Sequence, residues 1–292
     1  MLFSGEIAAL TTAFCWALAT VYFRQLGHAF SPLTLNLWKG ILSIVCLSFV
    51  LIGFSPSLPE LKYVYWLLIS GVIGIGIGDT AFFAALNRLG ERNTLLVAET
   101  LAPIFTALLA IIWINEWLTP IQWLAIAVVL LGVDIVLRCK KSRSPSQPIS
   151  LTGLSLAAIA ALCQASGAVI GRFVLTRSDI DPATASLIRL IGGIAVVIFV
   201  LLVTRKSWLP KKPADANVWR LLVLATFIGT FLALILQMYA FSQTQAAIVQ
   251  SLFATCIIFS LLIAKLQGQP VTPKAVIGSF IAIAGVSLIF IY

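Results

Sequence analysis

The stretch AETLAPIFTALLAIIWINEWLTPIQWLAIAVVLLG, Ala98–Gly132, decides the class of this chain. It joins two apolar runs, Thr94 to Ile114 and Pro120 to Leu137, through a turn of a few residues. Each run is long enough to cross hydrocarbon as a helix, which takes about 17–25 residues. Outward from this pair, three further runs precede it: Gly5 to Phe23, Leu33 to Gly53 and Tyr63 to Leu86. Five more come after it: Leu151 to Gly171, Ala183 to Val203, Val218 to Ala240, Ala246 to Ala264 and Pro273 to Ile291. The sequence therefore predicts an all-α integral membrane protein with ten transmembrane helices.

Composition agrees. Of 292 residues, 61% are hydrophobic and only 10% charged, and mean hydropathy is +1.08. A water-soluble domain carries roughly 25% charged residues, so this chain cannot cover a water-facing surface. The net charge of +9 does not point to nucleic acid, because the basic residues sit in short clusters between apolar runs and form no aromatic-interleaved stripe. Cys15, Cys46, Cys139, Cys163 and Cys256 are scattered, without metal-ligand spacing or a disulfide framework. They read as small packing residues; no metal and no cofactor are expected. The N-terminus has no basic n-region, and its apolar run continues to Phe23, so it reads as the first span and not as a cleaved signal.

The chain repeats itself. Gly5, Cys15 and Arg24 recur as Gly153, Cys163 and Arg172; Pro32, Leu37 and Lys39 recur as Pro182, Leu187 and Arg189. Further on, Gly76 matches Gly229, Thr119-Pro120 matches Thr272-Pro273, and Gly132-Val133 matches Gly285-Val286. Matches kept in order along the whole chain indicate an internal duplication. Residues 1–138 form the first five-helix repeat, 139–150 a basic linker, and 151–292 the second repeat. Five is odd, so the second copy enters the membrane from the opposite side. Inverted repeats can exchange conformations and open a central site to either face in turn. The loops joining helices 1–2, 3–4, 5–6, 7–8 and 9–10, with their flanks, hold fourteen of the nineteen lysines and arginines, among them Arg138, Lys140, Lys141 and Arg143. The other face holds Lys62, Arg172 and Arg177. Positive charge gathers on cytoplasmic loops, which predicts both termini outside.

The opening stretch and its second copy, Ser251–Gly285, resemble the drug/metabolite transporter superfamily, specifically its EamA-type ten-helix members. Pro103, Glu116, Thr119, Pro120 and Gly132 match that family's pattern in the first copy. The second keeps Gly268, Thr272, Pro273 and Gly285, but has Gln269 where an acid is usual and Cys256 where a proline is. The resemblance implies a secondary transporter that exports or exchanges small metabolites such as amino acids, with efflux of drugs or other cationic compounds as the alternative. The partners expected are a small-molecule substrate, the lipid bilayer and, as a coupling ion, the proton. The expected location is a cell's inner (cytoplasmic) membrane, as a multi-pass protein. A monomer suffices, because both halves lie in one chain.

Ionisable groups inside a membrane are functional candidates by default. Lys39, Asp79 and Glu99 fall about 8–11 Å deep from one face at 1.5 Å per residue, and Trp16 falls at the same level. They read either as a charged cavity wall, with Asp79 or Glu99 exchanging a proton, or as a Lys39–Asp79 ion pair locking helices 2 and 3. Lys39 can also snorkel to the interface. In the second copy Arg189 replaces Lys39, but Leu232 and Leu252 stand at the positions of Asp79 and Glu99. Arg189 is thus a candidate for holding a carboxylate or phosphate, or for pairing with Asp181 or backbone carbonyls. Gln164, Gln237, Tyr239 and Gln250 orient a ligand or bond helix to helix, and Phe82 and Phe83 line a pocket or pack. Gly74 and Gly78, and Gly167 and Gly171, have the spacing for close helix contact. Glu116 and Asp134, near helix ends within reach of water, read as structural. There is no G-x-x-x-x-G-K-[ST] and no H-E-x-x-H, and no nucleophile–base pair is evident. An ATP-driven pump, an intramembrane enzyme and a channel are therefore disfavoured; the protein is not expected to be an enzyme.

Overall fold

The computed structural model describes residues 3–54, 59–139, 150–210, 215–268 and 271–291. The linker expected at 139–150 and Gln269 lie, apart from residues 139 and 150, outside the described residues. Among the described residues ten helices are long and apolar enough to cross a membrane. They are α1 (Ser4–Phe23), α2 (Pro32–Gly53), α3 (Leu61–Leu89), α4 (Asn93–Ile114) and α5 (Pro120–Arg138), then α6 (Leu151–Arg177), α7 (Pro182–Val203), α8 (Ala216–Gln243), α9 (Ala246–Leu266) and α10 (Pro273–Ile291). Bulky apolar side chains such as Phe49, Ile52, Ile112 and Trp117 point outward, as they do where hydrocarbon is the solvent. Alanine-rich faces fill the interior.

The helix starts have local causes. Thr119 and Gln122 form a reciprocal cap on α5, each side chain accepting from the other's backbone N–H at 3.3 and 2.9 Å, and Pro120 fills the first helical position, where no N–H is needed. Thr272 and Pro273 repeat the arrangement at α10, with Ala275 N–H donating to Thr272 Oγ1 at 3.3 Å. Asp181 caps α7, accepting at 2.9 Å from the N–H groups of Ala183 and Thr184. Inside α3 the glycine-rich run VIGIGIG, Val72–Gly78, widens into π-helical turns, so that Asp79 N–H donates to the carbonyl of Gly74. α8 does the same over Phe227–Leu232, nearly the equivalent place in the second repeat. α9 breaks between Phe253 and Cys256, where Ser251 and Thr255 turn their hydroxyls back onto the carbonyls of Ile248 and Leu252. Such back-bonding loosens a helix.

The packing follows the duplication. α1 lies against α8 as α6 lies against α3, while α2 pairs with α7 and α5 with α10. These are the contacts of two inverted five-helix repeats about a pseudo-twofold axis in the membrane plane. The α5–α10 pair is held at backbone distance by the glycines shared between copies. A Cβ on Gly285 would sit 2.6 Å from the Val129 nitrogen, and one on Gly132 would collide with the Ala282 nitrogen.

Closeness of that kind tolerates no side chain. Gly132→Leu is expected to destabilise the detergent-purified protein by about 1–3 kcal/mol or more, the cost of overpacking, with a lower thermal unfolding midpoint. Gly53→Ala, where a Cβ meets nothing within 4 Å, should leave the midpoint unchanged. Equal midpoints for the two variants would contradict the packing described.

Candidate functional site

A cavity of about 450 Å³ lies between the two repeats. Its walls come from α1 (Trp16, Thr20, Phe23), α2 (Lys39), α3 (Gly74, Asp79, Phe82, Phe83), α4 (Glu99), α6 (Gln164) and α8 (Thr230, Gln237). It reaches Gly27, Phe30 and Pro32 at the α1–α2 turn and Leu86 and Asn87 at the end of α3. It therefore opens on the face that carries the α1–α2 and α3–α4 connections, the basic face.

The groups expected at one depth do meet. Lys39 Nζ donates to Asp79 Oδ2 at 2.6 Å, and the ammonium also lies 5.3 Å from the centre of the Phe83 ring, within cation–π range. Lys39 does not snorkel to the interface. The lysine side chain is 11% exposed and the aspartate 35%, so the pair is open to the cavity on its acidic side. The π-helical turns of α3 lie directly before Asp79. Each residue added to a turn rotates the remainder of the helix by about 100°, and this is how Asp79 comes to point at the cavity. Glu99, 6% exposed, borders the same cavity, and its Oε2 has no hydrogen-bond partner. Trp16 stands beside Phe253, ring centres 5.0 Å apart, and Phe82 and Phe83 meet edge to face at 6.0 Å. Gln164 and Gln237 line the cavity; Tyr239 and Gln250 do not. Gln250 is wholly buried, and both ends of its amide lack a partner.

Arg189 also lies outside the cavity lining, just past its inner end. It is 4% exposed, and it does not pair with Asp181, whose carboxylate is taken by the α7 cap. Its Nη1 contacts Met238 Sδ at 3.2 Å, and its Nε has no partner. Here α3, α6 and α7 are in backbone contact: a Cβ on Gly71 would strike the Arg189 carbonyl, and one on Gly167 would lie 3.3 Å from the Gly74 Cα.

The face opposite the basic one is tied shut. Arg172 Nε donates to Glu116 Oε1 at 2.9 Å, while Arg172 Nη1 donates to the carbonyls of Phe241 and Ser242. Glu116 Oε2 accepts from Ala246 N–H at 2.9 Å. Gln245 Nε2 donates to the Trp117 carbonyl, Thr244 Oγ1 to Glu6, and Tyr63 Oη to the Arg177 carbonyl. Trp113 stacks on Phe173 at 5.5 Å beside Trp66. One ion pair thus joins the α4–α5 turn, α6, the end of α8 and the start of α9. The side chains of Arg172 and Glu116 are 14% and 13% exposed, so Glu116 is not water-bathed, contrary to the expectation from its place near a helix end. Asp134, by contrast, is 26% exposed and pairs with Arg138 one turn on. The sequence reading missed the Arg172–Glu116 partnership, as well as Phe23, Phe30 and Thr230. The available signal was two opposite charges at span ends on one face.

Comparison with known proteins agrees with this architecture. A solved crystal structure superposes with a TM-score of 0.82 at 14% identity, covering 99% of this chain and 97% of the other, which supports the fold alone. An uncharacterized transporter from Archaeoglobus fulgidus is 23% identical over 97% of both chains. The uncharacterized transporter YyaM of Bacillus subtilis is 25% identical over 88% of this chain and 84% of its own length. The model of the EamA-like transporter family matches twice, at residues 3–138 and 151–291. The chain is a multi-pass membrane protein and belongs to the EamA-like transporter family.

Proposed function

We propose that this protein is a secondary transporter that exports or exchanges small amphipathic metabolites, such as amino acids, across the cytoplasmic membrane by alternating access. The observation that carries the reading is a cavity between inverted repeats, open on one face and tied shut on the other by Glu116 and Arg172. By the distribution of basic residues the open face is cytoplasmic, so the state described is the one that loads substrate from inside. The wall offers both signs of charge, Lys39 and Asp79, beside the rings of Trp16, Phe82 and Phe83 and the amides of Gln164 and Gln237. A zwitterion with an apolar side chain meets a partner for each of its parts. Glu99, acidic, buried and with a free oxygen, is the candidate to exchange a proton, and Asp79 the second.

A second reading rests on the cavity's charge balance. Asp79 neutralises Lys39, which leaves Glu99 as the surplus acid, and that surplus suits an organic cation as well as a zwitterion.

Proteoliposomes loaded with unlabelled amino acids should take up the labelled mixture by saturable counterflow. Glu99→Gln should reduce the component driven by a pH gradient about tenfold or more, within the range of a positioned proton-transfer group, while exchange without a gradient survives. Flux that does not saturate, or a wild type that moves neither amino acids nor organic cations, would overturn the carrier reading.

The Lys39–Asp79 pair gives a separate test. Removing one partner of a buried pair leaves a stranded charge, which costs more than removing both. Asp79→Leu, which strands the 11% exposed lysine, should lower the unfolding midpoint more than Asp79→Leu combined with Lys39→Met. The double variant should nevertheless fail in counterflow; recovery of transport along with stability would reduce the pair to a structural brace.

A further inference from the structure

Arg189 is a buried guanidinium, and no carboxylate among the described residues is bonded to it. Its Nη1 reaches only a thioether sulfur, a weak acceptor, and its Nε reaches nothing. Leaving such a group dry and unsatisfied is costly. Asp181 is committed to the α7 cap, and Asp79 is bonded to Lys39. The Nη2 of Arg189 rests against Gly74 and Gly167. Gly74 is itself cavity wall, as are Leu190 and Gln237, the chain neighbours of Arg189 and Met238. The guanidinium therefore sits immediately behind the closed end of the cavity.

The duplication says what this position is. Arg189 lies seven residues past Pro182 in α7, and Lys39 lies seven past Pro32 in α2, so the two sit equally deep from opposite faces. Lys39 lies on the wall of the open cavity with Asp79 as its partner. When inverted repeats exchange conformations, the buried member of such a pair takes the exposed role. The positions corresponding to Asp79 and Glu99 are then Leu232 and Leu252, so the second repeat supplies no carboxylate at these places. The counter-charge has to arrive with the ligand.

We propose that Arg189 binds the carboxylate of the substrate in the state open to the face opposite the basic one, and is uncovered when the Glu116–Arg172 tie parts. A guanidinium presents a planar fork that holds a carboxylate through two parallel hydrogen bonds. Substrate thus meets a paired lysine on one side of the membrane and an unpaired arginine on the other. The assignment rests on the carrier reading above.

The test is sided. Arg189→Cys and Lys39→Cys are each made in a full-length protein whose five native cysteines are replaced by alanine, then exposed to a membrane-impermeant methanethiosulfonate in right-side-out and inverted vesicles. Position 189 should react from the face opposite the basic one, at least tenfold faster once Glu116→Gln is added. Position 39 should react from the basic face, and more slowly with Glu116→Gln. Because the cysteine removes the charge, Arg189→Lys provides the second measurement. It should raise KM for amino-acid exchange about tenfold on the face opposite the basic one, as expected for a lost charge-assisted bond, and by less than twofold on the basic face. KM for the corresponding amines, which lack the carboxylate, should not move. A cysteine at position 189 that is inert from both sides, in protein that still exchanges substrate, would overturn the proposal, as would a KM raised equally on both faces. Absence of any exchange by the wild type would instead remove the carrier reading, while the labelling would still decide whether Arg189 is uncovered.

Discussion

The structure depends on how closely α3 can lie against α6 and α7. That contact is made by backbone: Gly71 meets the Arg189 main chain, Gly74 meets Gly167, and Gly192 and Gly193 receive Leu68 and Ile75. In hydrocarbon there is no hydrophobic drive for helices to associate, so dispersion between closely approached backbones is a main source of cohesion. It closes the pathway on one side of the molecule. The equivalent contact in the other repeat is between α8 and the pair α1 and α2, where Gly229 keeps its close approach to Ala19 but the other glycines of α3 are replaced. Leu224, Phe227 and Phe231 stand where α3 has Gly71, Gly74 and Gly78, and Phe23 stands where α6 has Gly171. Leu224 and Phe227 turn outward, 45% and 50% exposed, while Phe23 lines the cavity that lies between these helices. The two halves of the duplicated fold thus pack differently, backbone against backbone at α3, α6 and α7, and around a cavity at α1, α2 and α8.

The polar network on the closed face adds a second restraint to the glycine contacts. The glycine contacts are spread over three helices, whereas the Glu116–Arg172 pair draws four chain segments to a single point. Glu116 serves twice, as the partner of Arg172 and as the acceptor for the first N–H of α9, so one carboxylate satisfies a buried helix start as well as an ion. With both side chains largely out of water, separation of the pair requires water or another partner to replace the bonds lost. A barrier of this kind lets a carrier hold one side closed while substrate enters from the other.

Much of the fold was legible because membrane insertion leaves a coarse signature. Ten apolar runs, the Thr-Pro helix starts and the recurring Gly132 and Gly285 each reflect a local rule: length, capping and backbone approach. The site was only partly legible. Depth can be counted along a helix, and Lys39, Asp79 and Glu99 do share one cavity. Azimuth could not be counted, because the π-helical turns over Val72–Gly78 and Phe227–Leu232 change the register of α3 and α8 midway. Gln237 and Tyr239, two residues apart on the regular turns that follow, lie about 200° apart around the helix, and the register set before them turns Gln237 to the cavity wall and Tyr239 away. The Arg172–Glu116 tie was hidden for another reason. The partners are 56 residues apart and belong to different repeats, so only the three-dimensional arrangement brings them together.

The repeats also differ in charge. The repeat that supplies Lys39, Asp79 and Glu99 builds a cavity wall in which the cation is already neutralised, so opening it to water exposes no unpaired positive charge. The second repeat offers Arg189 opposite leucines, and opening that side without a ligand exposes a guanidinium whose counter-ion must come from solution. Water can solvate it, but a carboxylate does so with two aligned bonds, and only such a differential interaction allows a ligand to shift a conformational equilibrium. On the proposal made above, a paired lysine on one side and an unpaired arginine on the other set which ligand chemistry favours the opening of each.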